Sequence, residues 1–302
     1  MATRTRTRYH DPADVDEAVS LLADLGSDAT VLAGGQDLVR AMNLGDIHPA
    51  NIVDVSGLPD LDTIESTGGT IEIGALVTHE ELANSSIVED GCPLFVDAKA
   101  TIGGGQQIHN RGTVGGALCA AEPAYDYPSC LVALDGTLVV RSADGSREIP
   151  AAEFFEDAGE TALQSEELLT GIRLPELVDG VATSYEKLKY TEGCYNIASA
   201  AATVDLDGDT LTDVRLALGG IEPRPRRLDD AESLATGEQL DTELLTAVSE
   251  SASDAVESPV VDIHADADYR RSMAGVMAKR ALETATERVR AATDGGTTED
   301  TS

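Results

Sequence analysis

Residues 101–128 read TIGGGQQIHNRGTVGGALCAAEPAYDYP. Two glycine clusters flank Gln107-Ile108-His109-Asn110-Arg111-Gly112, and Pro123 and Asp126 follow closely. Glycine costs stability inside regular elements, so clusters of it predict main chain that turns at positive φ or presses against a ligand. A main-chain cradle for phosphate is the chemistry this arrangement suits.

A second glycine pair supports that reading. Ala29-Thr30-Val31-Leu32-Ala33 has the texture of a short buried strand and runs directly into Gly34-Gly35-Gln36-Asp37, where a helix is expected to begin. Successive backbone N–H groups at such a turn can converge on an anion, aided by the positive end of the helix dipole. On its own the pattern fits a structural turn equally well. Thr113-Val114-Gly115-Gly116-Ala117 offers a second nest with a hydroxyl from Thr113, and two nests suit a pyrophosphate. A side chain added at Gly115 would then project into the phosphate path. Neither cluster has the G-x-G-x-x-G spacing of a Rossmann dinucleotide fingerprint, and Walker lysine, G-x-S-x-G and H-E-x-x-H motifs are absent.

Outward from these loops, residues 14–25 read as an amphipathic helix stopped by Gly26, and residues 51–55 as a strand. Residues 62–66 and 70–75 form a hairpin about Gly68-Gly69, and helices are expected over 78–83 and 87–100. A further hairpin surrounds Asp144-Gly145, and residues 168–174 make a strand. Leu177-Val178-Asp179-Gly180 reads as a boundary. Beyond it lie three long strands, 182–190, 198–206 and 210–218, and then helices over 228–236, 241–256 and 267–292. Antiparallel strands followed by helices describe an α+β domain. Asp126 is a candidate cap for the helix that Pro128 begins.

The 302 residues carry 55 acidic and 21 basic side chains, a net charge of −34. With 42% hydrophobic residues in regular periodicity, this is a folded acidic chain rather than a disordered one. It fits a salt-saturated cytosol, because at molar salt the Debye length is about 3 Å and self-repulsion is screened. No basic stripe exists to bind nucleic acid, and no apolar run approaches the roughly 20 residues of a membrane span. The basic N-terminus lacks a signal-peptide apolar region, so a cytoplasmic protein is expected. Cys92, Cys119, Cys130 and Cys194 form no C-x-x-C and have no histidine at zinc spacing, which leaves four small thiols in a reducing compartment.

Together these segments resemble the FAD-binding medium subunit of molybdenum hydroxylases, as in aerobic carbon monoxide dehydrogenase, and the flavin domain of xanthine dehydrogenase. The likeness covers nearly the whole chain. It rests on Ala33 to Asp37, on residues 107–116, on Pro123 and Asp126, on Tyr185-Glu186-Lys187-Leu188-Lys189, and on Asp262-Ile263-His264-Ala265 with Tyr269-Arg270-Arg271. The resemblance implies an α+β fold in which a two-subdomain vanillyl-alcohol-oxidase (PCMH-type) FAD domain spans 1–176, divided at about residue 56. A smaller α+β domain with a three-stranded antiparallel sheet spans 181–292, and 293–302 is a disordered tail.

It further implies that Ala33, Gly34, Gly35, Gln36 and Asp37, with Thr113, Val114, Gly115, Gly116 and Ala117, hold the FAD pyrophosphate. Gly103 would lie near the flavin, Asp126 would bind a polar part of FAD, Leu169 would contact it through backbone, and Lys187 would reach the isoalloxazine. Positive charge there would favour the reduced flavin. The choice between Lys187 and Lys189 is open. The chain departs from the family at Ala117, where asparagine is usual, and after Lys187, at Tyr190 to Tyr195. Implied partners are a large subunit with the molybdenum cofactor and a small subunit with [2Fe–2S] clusters, as a dimer of heterotrimers. The rival readings are a stand-alone FAD-dependent oxidase or reductase, which needs an acid or base beside the flavin, and an assembly scaffold that has lost FAD.

The charge balance predicts that the melting temperature rises as KCl is raised from dilute buffer to molar concentration. An unchanged melting temperature across that range would exclude a salt-adapted surface.

Overall fold

Asp14 opens the first regular helix by accepting a hydrogen bond from the Glu17 N–H at 2.8 Å, and Gly26 ends it at φ +54°. The computed structural model describes residues 6–178, 180–191 and 193–295. The first subdomain runs β1 (Arg8–His10), α1 (Val15–Leu25), β2 (Ala29–Leu32), α2 (Leu38–Leu44) and β3 (Asn51–Asp54), with a parallel sheet in the order β1-β3-β2. Ala18, Val19 and Leu22 of α1 bury against Val53, Val55 and Leu58 to form its core.

The second subdomain begins with β4 (Ile64–Thr67) and β5 (Thr70–Gly74), joined at Gly68-Gly69, which both have positive φ as a tight two-residue hairpin requires. There follow α3 (His79–Ala83), α4 (Ser86–Gly91), α5 (Pro93–Thr101), α6 (Gly105–His109), α7 (Val114–Ala120) and α8 (Tyr127–Ala133). Thr78 and Glu81 close a reciprocal capping box on α3. The single helix expected over 87–100 is two, because Cys92 leaves helical geometry (φ −151°, ψ 57°) and Pro93 starts a new helix at its first position. The chain continues through β6 (Thr137–Ser142), β7 (Gly145–Pro150), α9 (Ala151–Phe154), β8 (Phe155–Asp157), β9 (Glu160–Thr161) and β10 (Leu168–Pro175). The main antiparallel sheet has the order β4-β5-β10-β6-β7. Its core gathers Ile71, Ile73, Phe95, Leu118, Tyr127 and Leu131, and Phe95 stacks on Tyr127 at 5.1 Å.

The C-terminal domain carries β11 (Val181–Lys189), β12 (Asn196–Asp207), β13 (Thr210–Gly219) and β14 (Arg226–Arg227), then α10 (Asp229–Ala235), α11 (Thr242–Asp254) and α12 (Ala267–Gly295). The sheet has four strands rather than three. Arg226 and Arg227 add the fourth by pairing with Leu218 and Ala217, too short a strand to show any alternation in sequence. Arg227 also bonds Asp135 and the Val132 carbonyl across the domain junction. Residues 293–295 continue α12, where a disordered tail was expected; the rest of that tail, 296–302, lies outside the described residues.

Residues 196–204 of β12 are buried without interruption. This strand is covered on both faces, by α12 on one side and by α8 of the preceding domain on the other. A run of alanine and serine serves that position, since small side chains let both helices approach. Arg270, 2% exposed, pins the ends of the sheet: it bonds the Ile197 and Gly220 carbonyls and pairs with Asp262 at 2.6 Å. Tyr269 beside it stays 44% exposed. Among the described residues, no helix is long and apolar enough to cross a membrane.

At the α11–α12 contact a Cβ on Gly275 would lie 2.3 Å from the Ser249 carbonyl oxygen. Gly275→Ala should therefore destabilise the chain by about 1–3 kcal/mol despite alanine's better helix propensity. A denaturation midpoint equal to the parent's would show that the two helices can separate without cost.

Candidate cofactor-binding site

A cavity of about 530 Å³ lies between the two N-terminal subdomains and is closed on one side by β11 and the β11–β12 connection. That size lies within the range of ligand and cofactor pockets. Its walls combine apolar side chains with glycine main chain, and at Gly34 and Gly103 the segments meet where a side chain would not fit.

The first glycine loop links β2 to α2. A Cβ on Gly34 would sit 1.9 Å from the Arg111 carbonyl oxygen, so the two glycine-rich segments touch backbone to backbone. Gly35 has φ +73°, which glycine adopts without strain. Ala33, Gly34, Gly35, Gln36 and Asp37 all line the cavity. Among the described residues, no protein acceptor meets the backbone N–H groups of Gly34, Gly35, Gln36 or Asp37. Four donors left open on a cavity wall form a surface that an anion can satisfy.

The second glycine cluster is built differently from the expected nest. Val114 and Gly115 donate their N–H groups to the Val77 and Ala75 carbonyls, both at 2.9 Å. Gly116 donates to Thr113 Oγ1 at 3.0 Å and Ala117 to the Thr113 carbonyl at 3.0 Å, so Thr113 caps α7. Val114, 1% exposed, packs in the core and does not line the cavity, whereas Thr113, Gly115, Gly116 and Ala117 do. A Cβ on Gly115 would meet Ala75 at 2.6 Å, not a ligand path. This loop is a wall whose donors are spent on Thr113 and on the segment that follows β5. Gly103 similarly seats against Gly193, whose carbonyl oxygen would lie 2.1 Å from a Cβ there. Leu169 lines the cavity at the bulge of β10.

Asp126 stands at the junction of the domains. It does not cap α8; instead its carboxylate accepts the Tyr185 hydroxyl at 2.6 Å and the Lys187 ammonium at 2.9 Å, with Lys187 also donating to the Thr101 carbonyl at 3.2 Å. Asp126 and Lys187 are 6% and 3% exposed. Burial raises the Asp126 carboxyl above its ordinary range, against the opposing pull of Lys187 and Tyr185. Lys187, not Lys189, lines the cavity. Its charge is balanced within an ion pair, so the site does not present the lone positive charge expected of it.

Several wall residues were not foreseen. Tyr125 donates to Asp37 at 2.5 Å and stacks on Tyr195 with ring centroids 6.1 Å apart. Glu167 lines the cavity and is paired with Arg147 at 2.6 Å. His79 lies under Gly112 and shares a 3.2 Å hydrogen bond with the Tyr127 hydroxyl. Burial, with the charges of His109 and Lys99 behind it, pushes His79 down from 6.5 to about 4. His109 faces inward to the Ile102 carbonyl at 3.1 Å, and Arg111 is exposed. Tyr185 had a readable signal, since it lies two residues from Lys187 and so on the same face of a strand. Among the described residues, no group of three or more His, Cys, Asp or Glu is arranged to hold a metal ion.

An α+β fold in two domains, with a cavity that carries glycine-rich main chain and open backbone donors at one end, defines a protein that takes up a phosphate-bearing cofactor. Residues 4–177 match the family described as FAD binding domain in molybdopterin dehydrogenase, and residues 183–285 match the CO dehydrogenase flavoprotein C-terminal domain. The carbon monoxide dehydrogenase medium chain of Hydrogenophaga pseudoflava is 36% identical over 93% of this chain and 97% of that one. The glyceraldehyde dehydrogenase medium chain of Sulfolobus acidocaldarius is 34% identical over 91% and 96%. A solved chain of the Hydrogenophaga pseudoflava carbon monoxide dehydrogenase superposes with a TM-score of 0.91, covering 95% of this chain and 99% of that one. The chain belongs to the family of FAD-binding medium subunits of molybdenum hydroxylases of the carbon monoxide dehydrogenase and xanthine dehydrogenase type.

His79 gives the site a pH signature. Its folded value of about 4 lies below the unfolded 6.5, so its contribution is intact above pH 6.5 and is lost as pH falls toward 4. The loss amounts to about 3 kcal/mol. Urea titrations across that window should show His79→Gln with a shallower pH dependence than the parent; an equal slope would assign the effect to other groups.

Proposed function

We propose that this chain is the FAD-binding electron-transfer subunit of a cytoplasmic molybdenum hydroxylase. Supporting it above all are the four open backbone donors at Gly34 to Asp37, on a cavity wall where Gly34 leaves no room for a Cβ against Arg111. The donors suit the pyrophosphate of FAD, and the glycines fit its close approach. When bound, FAD supplies the redox chemistry, taking electrons from [2Fe–2S] clusters on a small partner subunit and passing them to an external acceptor, while substrate is hydroxylated at a molybdenum cofactor on a large subunit. We place the three chains in a dimer of heterotrimers.

The tasks left to this chain are binding, orientation and exclusion of water. Gly34 to Asp37 hold phosphate, and Thr113, Gly115, Gly116 and Ala117 form the opposite wall by shape rather than by donated hydrogen bonds. Gly103 and Leu169 bring main chain to the cavity, and Asp126 with Lys187 supplies a buried polar pair at its far side. Asp126 reaches the cofactor, on this reading, while tied to β11, so it orients the C-terminal domain as well. A stand-alone oxidase is not favoured: among the described residues the wall carboxylates Asp37, Asp126 and Glu167 already have partners.

The purified chain should show a flavin absorption spectrum or take up added FAD in equimolar amount, and isolation from its own cells should bring molybdenum and iron with it. Gly34→Ala, which sets a methyl group against Arg111, should weaken FAD retention at least about tenfold by parting the two loops. Colourless protein that ignores added FAD would sink the proposal, and retention unchanged in the variant would remove the first loop from the site.

A further inference from the structure

We infer that Tyr125 is a positioning residue that holds the Asp37 carboxylate away from the open donors of the first glycine loop, keeping them free for phosphate. The inference rests on the FAD reading above.

Asp37 sits immediately before α2, where an aspartate ordinarily turns back to accept an N–H two or three residues on. Three aspartates among the described residues do so: Asp14 accepts from Glu17 N–H, Asp241 from Leu244 N–H and Asp266 from Tyr269 N–H, each at 2.8 Å. Asp37 makes no such cap. Its backbone is already helical (φ −94°, ψ −52°), and its Oδ1 accepts the Tyr125 hydroxyl at 2.5 Å, 88 residues away in sequence. That distance is characteristic of a strong charge-assisted O–H to carboxylate bond.

Tyr125 is itself placed by both domains. Its ring stacks on Tyr195 of the β11–β12 connection. Its loop is tied by Gly220 N–H to the Pro123 carbonyl at 3.0 Å and by Asn196 N–H to the Ala124 carbonyl at 3.4 Å. The hydroxyl therefore stands at a fixed place on the cavity wall. Released from it, the carboxylate would be tethered next to four unsatisfied N–H groups, an internal competitor for the ligand's phosphates at high effective concentration. It would also repel an arriving polyanion.

The test is FAD titration of the full apo chain, read by flavin fluorescence quenching, in dilute buffer and in molar KCl. In dilute buffer Tyr125→Phe should raise the Kd about tenfold, and molar salt should shrink that penalty because screening weakens the freed charge. Asp37→Ala should bind FAD at least as tightly as the parent. In the Asp37→Ala background, Tyr125→Phe should change the Kd by less than about twofold. An unchanged Kd for Tyr125→Phe overturns the inference. So does the full penalty surviving in the Asp37→Ala background, which would mean that Tyr125 meets the ligand directly. Weaker binding by Asp37→Ala alone overturns it too, and that arm does not depend on the Tyr125 variant folding. A parent chain that binds no FAD would instead fell the functional reading beneath it.

Discussion

The contact of Gly34 with the Arg111 carbonyl is the constraint on which the cavity depends. Two segments almost 80 residues apart in sequence approach until no Cβ fits between them, and the same device recurs at Gly103 against Gly193 and at Gly115 against Ala75. Each is a seam of main chain on main chain. Side chains lock into rotamers and leave irregular gaps, whereas a backbone seam fixes the position of peptide groups to a fraction of an ångström. A wall made this way can present N–H donors at set places with no side-chain entropy to lose. The helices behind it, α7 and α8, then pack into a core centred on Phe95, Leu118 and Tyr127.

The two glycine loops look alike in sequence and do different work. Among the described residues the first has donors with no protein acceptor; the second spends its donors on Val77, Ala75 and Thr113. The difference arises from what lies alongside. The segment after β5 presents the Ala75 and Val77 carbonyls to residues 115 and 114, and among the described residues none presents a carbonyl to the N–H groups of residues 34–37. A similar redistribution governs Asp126 and Lys187, where the pair is neutral as a unit and strongly desolvated. Breaking it from either side would strand a buried charge, so the pair specifies how the domains meet more than it adds to stability.

Much of this was legible in the chain. Gly68-Gly69 as a hairpin turn, the strand that feeds Gly34 and the helical C-terminus all follow from local punctuation and periodicity. Of the cofactor-contact residues singled out in the sequence, those other than Val114 line the cavity, because conspicuous glycines mark close approach, whereas His79, Tyr125 and Glu167 carry no such mark. What escaped depends on partners distant in sequence. β14 is a strand only because β13 offers an edge, and Asp126 faces β11 instead of its own helix. Tyr125 reaches Asp37 across 88 positions. Pro93, by contrast, was a plain local signal for a helix break, and its position after Cys92 accounts for the division of α4 from α5.

The wall of the cavity is shared between domains: Lys187, Cys194 and Tyr195 come from the C-terminal domain, and the glycine loops from the other. Any molecule that fills this space touches both halves, so its binding energy is also energy of domain docking. Uptake and closure are then one linked equilibrium, in which a ligand that binds the docked form alone suppresses partial opening by mass action. The occupant serves as a mortar joint between two folded blocks, and its loss removes that link between them.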